Sequence, residues 1–167
     1  MNKKYVSGFT LIELLVVVGI IGLLSSVVLA SLNTARAKAR DARKQADFKQ
    51  ISTALNFYYD KYGTMPANLV PGVDVCDGGP NQIQYDQLMT NFISDGFLGQ
   101  IPRTPGGGTY CYYNYGANSS AGALLVTSLE AVPDTTAGIA PSCRPWPPNV
   151  NWCNQSSSKA YCICNPY

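Results

Sequence analysis

Few residues in this 167-residue chain have types and spacings that could do chemistry. There is no histidine, which removes the commonest general base and neutral metal ligand. Ser-His and Cys-His nucleophile pairs go with it. No Gly-rich phosphate loop and no HExxH pattern occurs. What remains is one carboxylate, Glu13, inside an apolar run, and six cysteines at 76, 111, 143, 153, 162 and 164. A carboxylate in an apolar helix is costly to desolvate, so it implies a partner of opposite charge. Cysteines crowded into the second part of a chain imply disulfides in an exported domain. Neither pattern is catalytic, and the expectation is a non-enzyme without cofactor or metal.

The element that must position Glu13 is the run from Phe9 to Leu32, 24 residues in which it is the only charge. As a helix this rises about 36 Å, enough to cross the ~30 Å hydrocarbon core of a bilayer. Gly19, Gly22, Ser25 and Ser26 suit lipid, where small residues let helices approach closely. Ahead of the run stands a short leader, residues 1–8, with Lys3 and Lys4 and a closing Gly8. A secretory signal has its small-residue cleavage site after the apolar run, so the run is lost. A cut after Gly8 would keep the run and free an amino group on Phe9. Within one rigid helix that ammonium and Glu13 lie about 6 Å apart along the axis. A second copy staggered by that amount would bring one chain's Glu13 to the other's Phe9, and polymerisation follows. The alternative is a helix-start carboxylate at the membrane interface, favoured by the macrodipole.

The stretch Ser7-Gly8-Phe9-Thr10-Leu11-Ile12-Glu13 resembles the prepilin processing motif of bacterial type IV pilins and of the pseudopilins of type II secretion. The resemblance implies cleavage after Gly8, methylation of Phe9 and an assembly role for Glu13. It implies as partners other copies in a helical homopolymer, a prepilin peptidase and methyltransferase, an assembly platform, and membrane lipid before assembly. It covers about the first fifth of the chain. Tyr58 to Pro66 and Phe97 to Pro105 are similar to the post-helix region of pseudopilins and small pilins. Many major pilins carry a proline where Ala30 stands, so a helix that melts on assembly would rest here on Gly19 and Gly22.

The net side-chain charge of +2 does not suggest nucleic-acid binding, and none is expected. Charge does create a conflict over orientation. Arg36, Lys38, Arg40, Arg43, Lys44 and Lys49 follow the apolar run, against Lys3 and Lys4 before it. The positive-inside rule alone would place the C-terminal side in the cytoplasm. The cysteines and the processing motif place it outside. The expectation is a cytoplasmic N-terminus and an exported C-terminal domain, with the cations paired to neighbouring acids or anionic headgroups.

Along the chain, the helix is expected to run on to Tyr62, with residues 33–62 amphipathic and about 80 Å in all from Phe9. Ala35, Ala39, Ala42 and Ala46 suggest close contact with neighbouring helices. Phe48, Ile51, Leu55, Tyr58 and Tyr62 suggest the face a domain covers. Arg36, Arg40, Asp41, Arg43, Lys44 and Asp47 read as a solvated polar side. Gly63 and Pro66 end the helix. Residues 63–81 read as loop; Asp74, Asp77 and Asn81 there do not have the spacing of an EF-hand calcium loop. Gln82 to Asp95 has Tyr85, Leu88, Met89, Phe92 and Ile93 at helical spacing, ended by Gly96. Three strands are expected, 109–115, 123–130 and 159–164, with Tyr110, Tyr112, Tyr113 and Tyr115 as half-buried sheet residues. A Pro-rich loop fills 131–158.

Six cysteines allow 15 pairings. The arrangement adopted joins Cys76 to Cys111 and uses Cys143, Cys153, Cys162 and Cys164 to staple the Pro-rich loop to the last strand. Cys162 and Cys164 share one strand face. A zinc site from Cys153, Cys162 and Cys164 lacks the spacing of a zinc ribbon. The fold class expected is therefore α+β: a long N-terminal helix, membrane-spanning in its first half, packed against a small antiparallel sheet, pilin-like. The segments are a leader (1–8), a membrane and assembly half-helix (9–32), an amphipathic half-helix (33–62) and a disulfide-stapled head (63–167). The function expected first is a structural subunit of a type IV pilus, found in the inner membrane as precursor and outside the cell after assembly. The alternatives are a pseudopilin of type II secretion, or a minor pilin acting as an anchored adhesion or DNA-binding module.

Overall fold

The computed structural model describes residues 9–68, 75–116, 122–131 and 159–165. The expectations for Gly8, Asp74, Cys143, Cys153 and nearly all of the Pro-rich loop fall outside them. Helix α1 spans Leu11–Tyr62 without a break. It stops where the sequence says it must. Gly63 takes a left-handed φ of 72°, and its N–H donates to the Tyr59 carbonyl at 2.7 Å. This closes the last turn in a conformation that costs glycine little.

The chain divides into two units, Met1–Ala37 and Lys38–Tyr167. In the first, every described side chain from Phe9 to Leu32 is exposed. The second, called the head below, is built on the remainder of α1. A turn of 3-10 helix (Gly79–Asn81) leads into α2 (Gln82–Ser94). Helix α2 ends in a Schellman motif. The Gly96 N–H reaches Ile93 O at 3.0 Å and the Phe97 N–H reaches Phe92 O at 2.8 Å, with Gly96 at φ 76°.

The sheet has four antiparallel strands in sequential order: β1 (Val75–Cys76), β2 (Cys111–Asn114), β3 (Ala123–Ser128) and β4 (Ala160–Asn165). Three were expected. The fourth, β1, lies in the segment read as loop. Two residues carry no periodicity, and β1 exists because its partner β2 holds it, with Cys76 opposite Cys111.

Both faces of the sheet are apolar. One face joins Tyr112, Ala123 and Leu125 to Phe48, Ile51, Ala54 and Leu55 of α1 and to Tyr85, Leu88, Met89 and Phe92 of α2. The other gathers Cys111, Leu124, Val126, Cys162 and Cys164. Strand alternation produces this division, since Leu124 and Val126 point opposite to Ala123 and Leu125. Tyr110 and Tyr112 correct the expectation of half-buried tyrosines. They are 1% and 0% exposed, because each finds an acceptor: Asp47 Oδ2 at 2.8 Å and Pro66 O at 2.7 Å. Tyr113 and Tyr115 are half-buried, as the alternation suggested.

Candidate functional site

The helix start holds the first candidate site. Thr10 is the residue before α1, and Glu13 is three positions on. The Thr10 N–H and Oγ1–H both donate to Glu13 Oε2, at 2.9 and 2.7 Å. The Glu13 N–H returns a bond to Thr10 Oγ1 at 3.3 Å. This is a capping box, which satisfies donors that a helix start leaves without partners. Sequence reasoning missed Thr10's part, although Thr-x-x-Glu is the signal for it. The cap uses one carboxylate oxygen. Oε1 accepts no bond among the described residues. Beside it lies a shallow apolar hollow of about 340 Å³ lined by Phe9, Ile12, Val16 and Val17. Phe9 itself is 81% exposed. The arrangement can therefore offer one carboxylate oxygen, rimmed by apolar surface, to a cation from outside the chain.

The second cluster lies on α1 within the head and corrects the reading of a solvated polar side. Lys44 is 0% exposed and Asp41 only 6%. The Lys44 ammonium donates to Gly107 O at 3.1 Å, Ser128 O at 2.9 Å and Glu130 Oε1 at 3.0 Å. All three of its donors are thereby used. Arg40 grips the same carboxylate from the other side, Nε to Oε2 at 2.9 Å and Nη2 to Oε2 at 2.5 Å. Asp41 accepts from the backbone N–H groups of Glu130 and Ala131, both at 2.8 Å. Hydrogen bonds from Arg40 and Lys44 hold the Glu130 carboxyl down to about 2, and Glu130 in return raises the pKa of Arg40.

The turn facing Lys44 needs glycine. Gly108 sits at φ 101°, and a Cβ there would come within 2.8 Å of Ser128 Oγ. Glu130 had no local signal, because its partners are about 90 positions away in sequence. The cluster also bears on orientation. Two of the six cations after the apolar run, Arg40 and Lys44, are matched by Glu130, so the excess facing solvent is smaller than the sequence implies.

Asp77, considered as a calcium ligand, is occupied by its own chain. Its carboxylate accepts from Thr104 N at 2.7 Å, Thr104 Oγ1 at 2.6 Å and Tyr110 N at 2.6 Å. Among the described residues no group of three or more His, Cys, Asp or Glu could hold a metal. The disulfide Cys76–Cys111 is present, joining β1 to β2 as expected. Cys162 and Cys164 are also disulfide-bonded, so neither is a thiolate that could hold zinc. At the far end of α1, Lys61 Nζ meets Asp95 Oδ1 at 2.6 Å, and the Tyr62 hydroxyl donates to Asp95 Oδ2 at 3.0 Å. The Lys61 ammonium holds the Asp95 carboxyl below its ordinary value.

Residues 3–29 match the prokaryotic N-terminal methylation motif. The chain is 32% identical over 115 residues to type II secretion system core protein G of Pseudomonas aeruginosa, spanning 67% of this chain and 76% of that protein. It is 28% identical over 140 residues to the core protein G of Escherichia coli K12, spanning 83% and 90%. With that of Klebsiella michiganensis it shares 27% over 142 residues, spanning 83% and 94%. No solved structure matches the chain.

Proposed function

The chain belongs to the type II secretion system core protein G family, and from that premise we propose that it is a pseudopilin, a non-catalytic subunit that polymerises through its N-terminal helix. The observation that carries this reading is the extent of the likeness. It runs over 115 residues and so reaches well past the N-terminal motif into the head. This reverses the order expected from sequence, where a type IV pilus subunit stood first. The prepilin-type start is common to both kinds of fibre and does not separate them.

In this reading a prepilin peptidase cuts after Gly8 and methylates Phe9. The precursor sits in the inner membrane through residues 9–32, with its N-terminus cytoplasmic and its head exported. On assembly, Glu13 Oε1 receives the ammonium of a neighbour's Phe9 while Oε2 keeps the Thr10 cap. In low dielectric that pairing favours the polymer over a lone chain. The fibre is short and periplasmic.

N-terminal sequencing and intact mass of the membrane-purified chain test the processing step. A methylated Phe9 start is expected, and a chain that keeps Met1 overturns the reading. Deleting the gene separates the two fibres. Loss of exported enzymes from the medium, with surface pili unchanged, is expected. The type IV pilus reading draws on one feature, the head's Cys76–Cys111 staple, which suits a fibre exposed outside the cell. Recovery of the chain in sheared extracellular fibres would favour it.

A further inference from the structure

Resting on the reading of an exported head, we propose that this chain is a substrate of a thiol–disulfide isomerase, which resets the pairing of four of its cysteines before β4 docks. Cys76 is joined to Cys111, and Cys162 and Cys164 are each disulfide-bonded. The last two share one face of β4, two positions apart, which puts their Cβ atoms about 6.6 Å from each other. A disulfide needs about 3.5–4.5 Å between Cβ atoms, so β4 cannot close a bond between its own two cysteines. Only Cys143 and Cys153 remain in the sequence, and each therefore takes one partner from β4.

Both ways of sharing these four cysteines conflict with the order in which they leave the cytoplasm. The head follows its N-terminal anchor across the membrane, so its thiols meet the oxidising compartment in chain order. Pairing in that order gives Cys76–Cys111, Cys143–Cys153 and Cys162–Cys164. The members of the last two pairs are close in sequence, so loop closure opposes their bonds little. The first bond is the one that joins β1 to β2. The other two are wrong for either final arrangement. Each oxidation passes two electrons and two protons to a protein disulfide of that compartment, which becomes a dithiol.

A chain paired in this way holds no thiolate that could begin an exchange, so the thiolate comes from outside. It attacks Cys143 Sγ, the Cys143–Cys153 bond breaks, and a mixed disulfide forms as Cys153 leaves as thiolate. Cys153 then attacks one sulfur of the Cys162–Cys164 bond and frees the other. That thiolate attacks Cys143 in the mixed disulfide and expels the isomerase thiolate. Two bonds within the chain break, two form, and no net electrons move. The exchange has to precede packing. In the folded head Cys162 is 1% exposed and Cys164 7%, layered with Cys111, Leu124 and Val126. All six residues of β4 are then paired to β3, and an attacking thiolate needs access that this layer denies.

The test expresses the full chain in bacterial hosts with and without their periplasmic disulfide isomerase. Free thiols are alkylated, and the unreduced chain from the membrane is cut with trypsin. Cleavage follows Arg103 and Lys159 but not Arg144, which precedes proline, so the six cysteines fall in peptides 62–103, 104–159 and 160–167. With the isomerase, all three peptides should stay joined until reduced. Without it, 160–167 should come away as the main species while 62–103 and 104–159 stay joined. An isomerase whose resolving cysteine is replaced by serine should be recovered bound to the chain in a complex that reduction splits.

Release of 160–167 from the host that has the isomerase overturns the pairing and the proposal with it. Three joined peptides in both hosts, or no reducible complex, remove the isomerase and leave the exported head standing. Alkylation of all six cysteines in both hosts shows a head that never left the cytoplasm, and overturns the exported reading as well.

Discussion

Two stretches of α1 invert the usual rule about which side chains are covered. From Leu11 to Leu32 the helix exposes leucine, isoleucine and valine; Leu15 is 59% exposed and Ile21 is 56%. Within the head, the same helix buries Asp41 and Lys44 beside Phe48 and Ile51. The backbone is alike in both, so the difference lies in what each side chain meets. Among the described residues of its own unit nothing covers the first stretch, and its apolar surface calls for lipid or for other copies. The second is covered by loops that end in carbonyls and a carboxylate, so a cation fits there better than an apolar residue. Outward apolar side chains indicate what the helix meets outside itself. Inward charges show how the head is fixed to it.

The sharpest break in this comparison is Glu13→Ala. It removes the charge offered by the apolar stretch and should abolish multimers in membrane cross-linking. The melting temperature of the head should stay where it was, and a parallel fall in head stability would mean that the two stretches are not separable in this way.

Next in size is Lys44→Ala. It leaves Gly107 O and Ser128 O without their buried donor, and a loss of about 3 kcal/mol in head stability is expected from chemical denaturation. A loss below about 1 kcal/mol would show that water replaces the ammonium and that the cluster is not closed.

The double variant Cys76→Ser, Cys111→Ser should cost about 2–4 kcal/mol, measured in the same way, by releasing a loop of 35 residues.

A pH titration probes the cluster more gently. The Glu130 carboxyl is depressed from 4.5 to about 2 in the folded chain, so its contribution is complete above pH 4.5. It is lost as the pH falls toward 2, because protonation favours the unfolded state there. Wild type should therefore lose stability across that window more steeply than Glu130→Gln, and equal slopes would remove Glu130 from the account.

The smallest effect belongs to Lys61→Met. It breaks an exposed pair with Asp95 and should barely move the melting temperature.

Legibility followed the range of the interactions. The ends of α1 and α2 were readable because Gly63 and Gly96 act within one turn of the residues they stop. The antiparallel strands β2, β3 and β4 were readable within two residues at each end from aromatic and β-branched runs. Strand β1 was not, since two residues make no pattern and only pairing with β2 defines them. Thr10's cap is legible in Thr-x-x-Glu, because its bonds to Glu13 span a single turn.

By itself the sequence determined the long helix, its apolar first part with a lone carboxylate, the cysteine-rich head and the absence of histidine chemistry. These depend on composition and on spacings of a few residues, which a linear reading captures. Only the tertiary structure decided that Arg40, Asp41 and Lys44 face inward and that Asp77 serves its own backbone. It alone set Tyr110 and Tyr112 deep in the core. A charge on an amphipathic helix looks the same whether solvent or an acceptor faces it. The acceptors here, Glu130, Ser128 and Gly107, come from 60 to 90 positions away, and folding alone brings them to the helix.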